Sequence, residues 1–402
     1  MNGIDLDANL ALQDSEFAAL DLNNARISGQ VNLLRSKVTG DLMMNGLHAR
    51  SLFMLGGQFA QVDLAAANVS DLNLYGAKVT GNLGINSGRV GERLLMDKGR
   101  FADVDLTALR VGQHLSMRSA HFAKVDLNSA HVGGSLLLMQ SEVGGNLICF
   151  GLEVGLHLVM NAATFGGSIG CQSAKIRSNV YLNHSEFKKG IDLTGAEIGG
   201  ELVLEGVEGM ALKLQNAKIG ILPNLAEAWP SKLELNGLTY RSVVAADNFE
   251  EWFRKIDHYA PQPYEQLASV VQSQGNSTLA TAIRYAGRER ERSEATFGEW
   301  VWLTALKLVI GYGYYPLRAV LWVIGLVLAG AVVLRVSGEG PRNGMPFGLT
   351  YSFDMLLPII KLRDSHHQID LKNWARYYFY GHKIMGWVLA SFLLAGLSGL
   401  TK

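Results

Sequence analysis

A repeat of ten or eleven residues fills more than half of the chain, from Leu10 to about Val243. Each repeat has two aliphatic residues spaced by two, then two spacer residues, a small residue, one further residue and a closing aliphatic residue. A spacing of two places both side chains of a pair on one face of a strand. The repeat therefore predicts two short strands separated by a bend. In the clearest stretch the first aliphatic residues are Leu136, Leu147, Leu158, Ile169, Val180, Ile191 and Leu202.

A bend after every four or five residues excludes a flat sheet and favours a coil in which each strand stacks on the strand one turn away. Two repeats would close a four-sided turn, and Phe-Ala-x-Val corners such as Phe59 to Val62 shorten a repeat by one residue. We predict a mainly β solenoid over residues 4–246, a right-handed four-sided parallel β-helix with 10/11-residue half-turns. About 11 turns at roughly 4.8 Å each would make a rod of roughly 50 Å.

Two segments resemble the repeats of a known family, namely LDLNNA at residues 20–25 and VDLNSA at residues 125–130. They are similar to bacterial pentapeptide-repeat-like membrane proteins, and the resemblance implies a right-handed four-sided β-helix. The extra corner residue departs from a strict period of five, so a bactofilin-like β-helix is the nearest alternative. Some of these relatives carry the label of membrane-associated oxidoreductases.

The residue between the paired aliphatics must point outward, and alternate repeats share a face. We predict that Leu137, Val159, Tyr181 and Val203 form an interaction stripe for another protomer, the helical region or an unknown protein partner. Scattered surface apolar residues are the alternative. The other face carries aspartates, which in some pentapeptide-repeat proteins mimic DNA. We interpret them as a solvated face and predict no nucleic-acid partner. These outward aspartates are Asp21, Asp63, Asp105, Asp126 and Asp192.

After the repeat the sequence changes to helical patterns. Residues 247–297 are predicted to form a helical hairpin linker, in which Gly275 ends one helix and Asn276 or Ser277 caps the next. The mixed charge run near its end is typical of a solvated helix with ion pairs between neighbouring turns. Its arginines also precede the apolar region directly, where anionic lipid headgroups would meet them. These membrane-surface candidates are Arg288, Arg290 and Arg292.

Residues 298–402 are predicted to form a two-span α-helical membrane module with a lipid bilayer as partner. It comprises an interfacial helix at 299–310, a span at 316–336, a candidate re-entrant segment at 345–362 and a span at 383–400. A periplasmic loop is the alternative for residues 345–362. The arrangement resembles the two-span potassium-type channels, but no filter sequence follows the central segment, and the Gly311–Gly313 GYG motif precedes the first span. Asp354 is the membrane functional candidate, because an ionisable group at membrane depth is costly.

No catalytic constellation, metal site or cofactor motif was found, so we predict a non-enzymatic chain without cofactors. The two cysteines, Cys149 and Cys171, are 22 residues apart and should stack inside the coil as small hydrophobic groups. With no secretory leader and arginines before the first span, we expect a multi-pass bacterial inner-membrane protein with both termini in the cytoplasm. We expect a homo-oligomer that acts as a scaffold or sensor. The alternatives are a degenerate channel-like or membrane-perturbing effector and, without motif support, an oxidoreductase.

Overall fold

The computed structural model describes residues 1–209, 211–225, 229–315 and 317–398. Two compact units divide the chain, Met1–Ala280 and Thr281–Lys402. The first is a parallel β-solenoid of about 11 turns, followed by helices, and the second is helical. Residue 316 at the start of the first predicted span and residues 399–402 at the end of the second lie outside the described residues.

The strands are short because a bend follows each aliphatic pair. In the first half they are β1 Asp5–Leu6, β2 Leu10–Ala11, β3 Glu16–Phe17, β4 Leu20–Asp21, β5 Arg26–Asn32, β6 Lys37–Met43, β7 His48–Phe53, β8 Gln58–Asp63, β9 Asn68–Asn73, β10 Lys78–Val79, β11 Leu83–Gly84, β12 Arg89–Val90, β13 Leu94–Leu95, β14 Arg100–Asp105, β15 Arg110–Val111, β16 Leu115–Ser116 and β17 His121–Asp126. In the second half they are β18 His131–Val132, β19 Leu136–Leu137, β20 Glu142–Val143, β21 Leu147–Ile148, β22 Glu153–Val154, β23 Leu158–Val159, β24 Thr164–Phe165, β25 Ile169–Gly170, β26 Lys175–Ile176, β27 Val180–Tyr181, β28 Glu186–Phe187, β29 Ile191–Asp192, β30 Glu197–Val203, β31 Glu208–Gly209, β32 Ala211–Lys213, β33 Lys218–Leu222, β34 Lys232–Glu234 and β35 Thr239–Val243.

Strands one turn apart pair in parallel and build two sheets along the solenoid. In the first sheet Leu136 pairs with Leu158, and Leu158 pairs with Val180. In the second sheet Leu147 pairs with Ile169. Residues two repeats apart are therefore vertical neighbours, which confirms the stacking that the repeat predicted.

Inward aliphatic ladders form the core of the solenoid. The first residues of successive pairs are buried, and so are the second residues two positions later, such as Leu138 and Met160. The phenylalanines at the closing positions also stack from turn to turn, with the Phe165 and Phe187 ring centroids 5.3 Å apart and the rings 4° from parallel. Burial of these rungs is the main stabilising term, since no turn can cover its own apolar face.

One corner of each half-turn places a residue in the left-handed region, and many of these residues are not glycine. Asn24, Arg35 and Ala66 have φ values of 54°, 54° and 55°. Each donates its backbone N–H to a carbonyl of the next turn, at 2.7 to 2.9 Å. The inter-turn ladder thus offsets the steric cost of a side chain at positive φ.

Helices cover the C-terminal end of the solenoid. They are α1 Phe249–Arg254, α2 Pro261–Ser273 and the start of α3 Ser277–Glu294. Strand carbonyls that would lack a further turn accept hydrogen bonds from α2, where Gln266 Nε2 donates to Tyr240 O at 2.9 Å and Gln262 Nε2 donates to Leu238 O at 2.8 Å. Asn276 Oδ1 accepts the Leu279 N–H and caps α3, as the sequence indicated.

The second unit contains the rest of α3 and six further helices among its described residues. They are α4 Phe297–Ile310, α5 Arg318–Val336, α6 Glu339–Arg342, α7 Leu349–Leu356, α8 Asp364–His367 and α9 Asn373–Ser398. A 3₁₀ turn at Gly311–Gly313 joins α4 to the segment before α5. Within the described part of the chain, one helix, α5, is long and apolar enough to cross a membrane by length and composition. The two-span module is not established by this criterion.

Candidate functional site

The predicted interaction stripe is a continuous vertical row in the first sheet. Leu137 pairs with Val159, Val159 with Tyr181, and Tyr181 with Val203. All four side chains are half-buried, since each is flanked by the turns above and below. Asn179 Nδ2 donates to the Tyr181 hydroxyl at 2.7 Å and fixes this ring on the surface. The stripe is thus an ordered apolar face four turns long.

Ser116 ends the stripe on its N-terminal side, in a polar cluster that the sequence did not reveal. The Asp97 carboxylate is buried and accepts hydrogen bonds from the Ser116 hydroxyl at 2.5 Å and the Arg118 backbone at 2.8 Å. The Arg118 guanidinium also pairs with Asp97 at 2.9 Å. Asp97 and Arg118 line a shallow groove together with Tyr75 and Lys98. Asp97 and Arg118 each lie two residues after a member of the vertical row that continues into the stripe. Stacking of these two positions on consecutive turns could have located the cluster from the sequence.

The outward aspartates have a structural role at the corners. Asp63 Oδ1 accepts a hydrogen bond from the Ala65 N–H, and Asp126 Oδ1 accepts one from the Asn128 N–H. In both cases the donor lies two residues after the aspartate. The other aspartates on this face make the same bond. Such Asx turns satisfy a backbone donor at the bend and explain why the residue type recurs there.

The two thiols lie inside the solenoid, as the sequence predicted. Cys149 and Cys171 are both buried and neither forms a disulfide. The adjacent Cys171 thiol and burial raise the pKa of Cys149 well above its ordinary value. A thiol that stays protonated is a poor nucleophile. The pair therefore belongs to the core.

The arginines of the charge run are paired with glutamates of the same helix, α3. Arg288 lies 2.8 Å from Glu291, three residues on, and Arg292 lies 3.0 Å from Glu289. Arg290 forms a further ion pair with Glu294, four residues on. The structure thus brings all three membrane-surface candidates into local ion pairs, which lowers the net positive charge available to a headgroup.

Glu289 joins α3 to α4 and to the 3₁₀ turn. Its carboxylate accepts hydrogen bonds from Lys307 Nζ at 2.8 Å and the Tyr312 hydroxyl at 2.7 Å, besides Arg292. Partial burial opposes its ionisation, but these hydrogen bonds outweigh that effect and keep the pKa of Glu289 below its ordinary 4.5. The GYG motif is thus a structural joint, with Tyr312 buried at φ 59°.

Helix α7 packs closely between α5 and α9. A Cβ at Gly348 would lie 2.7 Å from the Leu334 side chain, and a Cβ at Gly330 would lie 2.1 Å from Ser352 Oγ. On the other side, a Cβ at Gly386 of α9 would lie 1.9 Å from Leu356 O. Glycines on both long helices are therefore needed to admit α7.

Asp354 lies on α7, and its side chain is completely buried. Its carboxylate accepts the Leu362 N–H at 2.8 Å and the Arg363 N–H at 3.2 Å. His366 Nδ1 lies 2.8 Å from Asp354 Oδ2. The Asp354 carboxylate thus ties α7 to the residues before α8 and to His366 in α8. We call these contacts the Asp354 clasp.

A second buried polar contact joins α7 to α9. His382 Nε2 lies 3.0 Å from Ser352 O, while its Nδ1 has no hydrogen-bond partner among the described residues. Sequence reasoning missed His382 because it placed the residue just outside a span. Three or more side chains suited to metal binding do not cluster anywhere in the described ranges.

Comparison with known proteins adds no identification. No known family matches this sequence, and no curated protein was found to be similar to it.

Proposed function

We propose that this protein is a non-enzymatic membrane-anchored scaffold. Helix α5 anchors it in a lipid bilayer, and the solenoid presents the interaction stripe to a protein partner. The observation that carries the proposal is the uncovered apolar surface of α5.

Helix α5 has 19 residues, and an 18-residue stretch of it has a mean hydropathy of 2.5. Only 17% of that stretch is buried. At 1.5 Å per residue it extends about 28 Å, close to the thickness of a bilayer core of about 30 Å. Leu321, Val332 and Val336 are 68%, 59% and 73% exposed. A core helix of a water-soluble protein would bury such side chains, whereas lipid tails solvate them without cost.

We further propose that α9 returns through the same bilayer, which makes the protein multi-pass with both termini in the cytoplasm of a bacterium. Arg288, Arg290 and Arg292 support this orientation, since they precede the first span and positive charge favours the cytoplasmic side. Exposed Trp300 and Trp302 on α4 suit the membrane–water interface.

The stripe supports the scaffold role because it is ordered, apolar and continuous over four turns. A rigid flat face of this kind suits a protein partner better than a small molecule, which prefers a deep cavity. The solenoid would provide the binding surface and the helical unit would supply the membrane location.

The test of membrane anchoring is extraction of membranes from cells that express the full chain. We expect the protein to resist alkaline carbonate and to be released only by detergent. Leu321→Asp with Leu328→Asp should release it or abolish insertion, because a charge at the helix centre, where Leu328 lies, costs about 2.5–3.5 kcal/mol. Leu321→Ala with Leu328→Ala is the matched control and should remain anchored. Recovery of the unaltered chain in the aqueous fraction would refute the proposal.

A channel-like effector is the second candidate. It is favoured by the short helix α7, which packs between two long helices and is followed by the non-helical segment 357–363. Ion flux into liposomes containing the purified protein distinguishes the two functions. Flux that depends on Asp354 would favour the channel, and a silent protein that captures a partner through the stripe would favour the scaffold.

A further inference from the structure

The N-terminal end of the interaction stripe is basic. Ser116 precedes Leu137 in the same vertical row, and the exposed Arg118 lies two residues after Ser116. Lys98 donates its backbone N–H to the Arg118 carbonyl at 2.9 Å, so the two cations lie on consecutive turns. Asp97 pairs with Arg118 and offsets one of these two charges. One positive charge therefore remains at this end of the stripe.

The C-terminal end of the stripe is acidic. Glu201 and Glu205 lie two residues before and two residues after Val203, the last member of the stripe. Glu205 is exposed and Glu201 is half-buried. The five residues from Glu201 to Glu205 include no lysine or arginine, so two negative charges flank Val203. The apolar row thus runs from a basic end to an acidic end.

Val159 lies at the midpoint of this row. Ser116 lies two turns before Val159, and Val203 lies two turns after it. At about 4.8 Å per turn, each charged end is about 10 Å from Val159. A two-fold axis that passes over Val159 along the strand direction inverts the order of the turns. It therefore places the basic end of one stripe opposite the acidic end of another.

We infer that the stripe binds the stripe of a second copy of this chain, with the two solenoids antiparallel. The inference rests on the proposed role of the stripe as a protein-binding surface and names its partner. Leu137 packs on Tyr181 of the second copy, Val159 packs on its own equivalent, and Arg118 faces Glu205. The same residues contribute from both copies, as a closed two-fold dimer requires.

The groove beside Arg118 provides a place for the Glu205 carboxylate of the second copy. Tyr75, Lys98 and Met139 also line this groove. Lys98 Nζ lies 5.6 Å from the centroid of the Tyr75 ring, which holds the ammonium group at the edge of the groove. A carboxylate there meets two cations that share a single carboxylate of their own chain.

Charge also selects the antiparallel orientation. Parallel pairing of two stripes would place Arg118 against Arg118 and Glu205 against Glu205, and like charges in contact are unfavourable. The outward aspartates give the other sheet one sign of charge along its length, so that face repels a copy of itself. The stripe is therefore the sheet face whose charges complement those of a second copy.

Cysteine cross-linking of the full chain in mild detergent tests the contact and its orientation. Two differently tagged forms are co-expressed, each with Val159→Cys, and are treated with a short bis-maleimide. Val203→Cys in both forms is the matched control, because two copies of Val203 would be four turns apart, or about 19 Å along the solenoid. Cys149 and Cys171 are buried, so the chain without a new cysteine gives the background.

We expect a dimer band that carries both tags from Val159→Cys and only background from Val203→Cys. Equal cross-linking at both positions would indicate parallel pairing and overturn the inference, and so would background levels at both. Cross-linking of Val159→Cys to a different protein would also overturn it, yet the scaffold function would stand. Release of the unaltered chain from membranes is a separate result, because it refutes only the anchoring by α5.

Charge reversal at the acidic end provides a second measurement. Glu205→Arg places an arginine opposite Arg118, so the yield of the Val159→Cys dimer should fall several-fold. Glu186→Arg, at an exposed glutamate of the other sheet, is the control and should leave the yield unchanged. Equal yields for the two reversals would show that the charged ends do not meet.

Discussion

Aspartate has three different structural roles in this chain, and burial separates them. Asp126 is a partly exposed corner residue that accepts a hydrogen bond from one backbone N–H. Asp97 is buried beside Arg118 and Ser116 on the solenoid surface. Asp354 is fully buried and satisfies two backbone donors of a segment eight or nine residues away. A carboxylate removed from water needs such donors, so its loss should cost more the deeper it lies.

Replacing Asp354 by Ala should destabilise the helical unit. The change leaves the Leu362 and Arg363 N–H groups without their acceptor, at about 1–3 kcal/mol for each buried group left unsatisfied. The measurement is the melting temperature in mild detergent, followed by tryptophan fluorescence. Asp370→Ala is the control, since Asp370 is 77% exposed and its ion pair with Arg376 should contribute little. Equal melting temperatures for the two variants would contradict the clasp role of Asp354.

Glu289 should make the joint between α3 and α4 sensitive to acid. Its pKa is depressed in the folded protein, so its stabilising contribution is present above the ordinary value of 4.5 and is lost as the pH falls through the folded pKa. Glu289→Gln should therefore lower the melting temperature at neutral pH, and the difference from the unaltered protein should shrink below pH 4.5. A difference that is constant from neutral to acid pH would exclude an ionic role. Exposed Glu186, changed to Gln, serves as the control.

At the scale of elements, the solenoid corners show that neighbouring glycines have different constraints. A Cβ at Gly145 would lie 2.6 Å from the Ala123 carbonyl oxygen one turn away. At Gly144 the nearest atom would be 3.8 Å away, an ordinary contact. The close approach arises because stacked strands bring backbone against backbone at this bend.

Gly145→Ala should therefore destabilise the solenoid, while Gly144→Ala should be tolerated. The clash involves a backbone atom that cannot rotate away, so we expect a cost of about 1–3 kcal/mol, as for other overpacked sites. Urea unfolding followed by circular dichroism of the β signal measures both variants. The argument fails if Gly144→Ala proves as costly as Gly145→Ala.

At the scale of the whole molecule, the stripe and the proposed membrane helix α5 belong to separate compact units. The stripe is a sheet face within Met1–Ala280, and α5 lies within Thr281–Lys402. The effect of a substitution in one unit can therefore be measured without changing a residue of the other unit.

Val159→Glu with Tyr181→Glu should abolish capture of the protein partner or of a second solenoid. Two charges on consecutive turns would have to be desolvated in the contact. Ile148→Glu with Gly170→Glu places the same charges on consecutive turns of the other sheet and is the control. Pull-down from membranes and mass in mild detergent are the measurements. An unchanged partner set would leave the stripe as ordinary surface.

The repeat alone was enough to predict the solenoid, because it is local and each turn repeats the same physics. Spacing of two set the strands, and the period of two repeats set which residues stack, as Leu136 and Leu158 do. The backbone conformation of the corners and the Asp354 clasp became visible only in the folded chain. Arg35 adopts positive φ because the next turn accepts its N–H, and α7 turns inward because glycines on α5 and α9 admit it. The corners recur in every half-turn, but with residue types as different as Arg35 and Ala66, so residue type does not reveal their positive φ. The contacts of α7 with α5 and α9 follow no period, so no pattern along the chain encodes them.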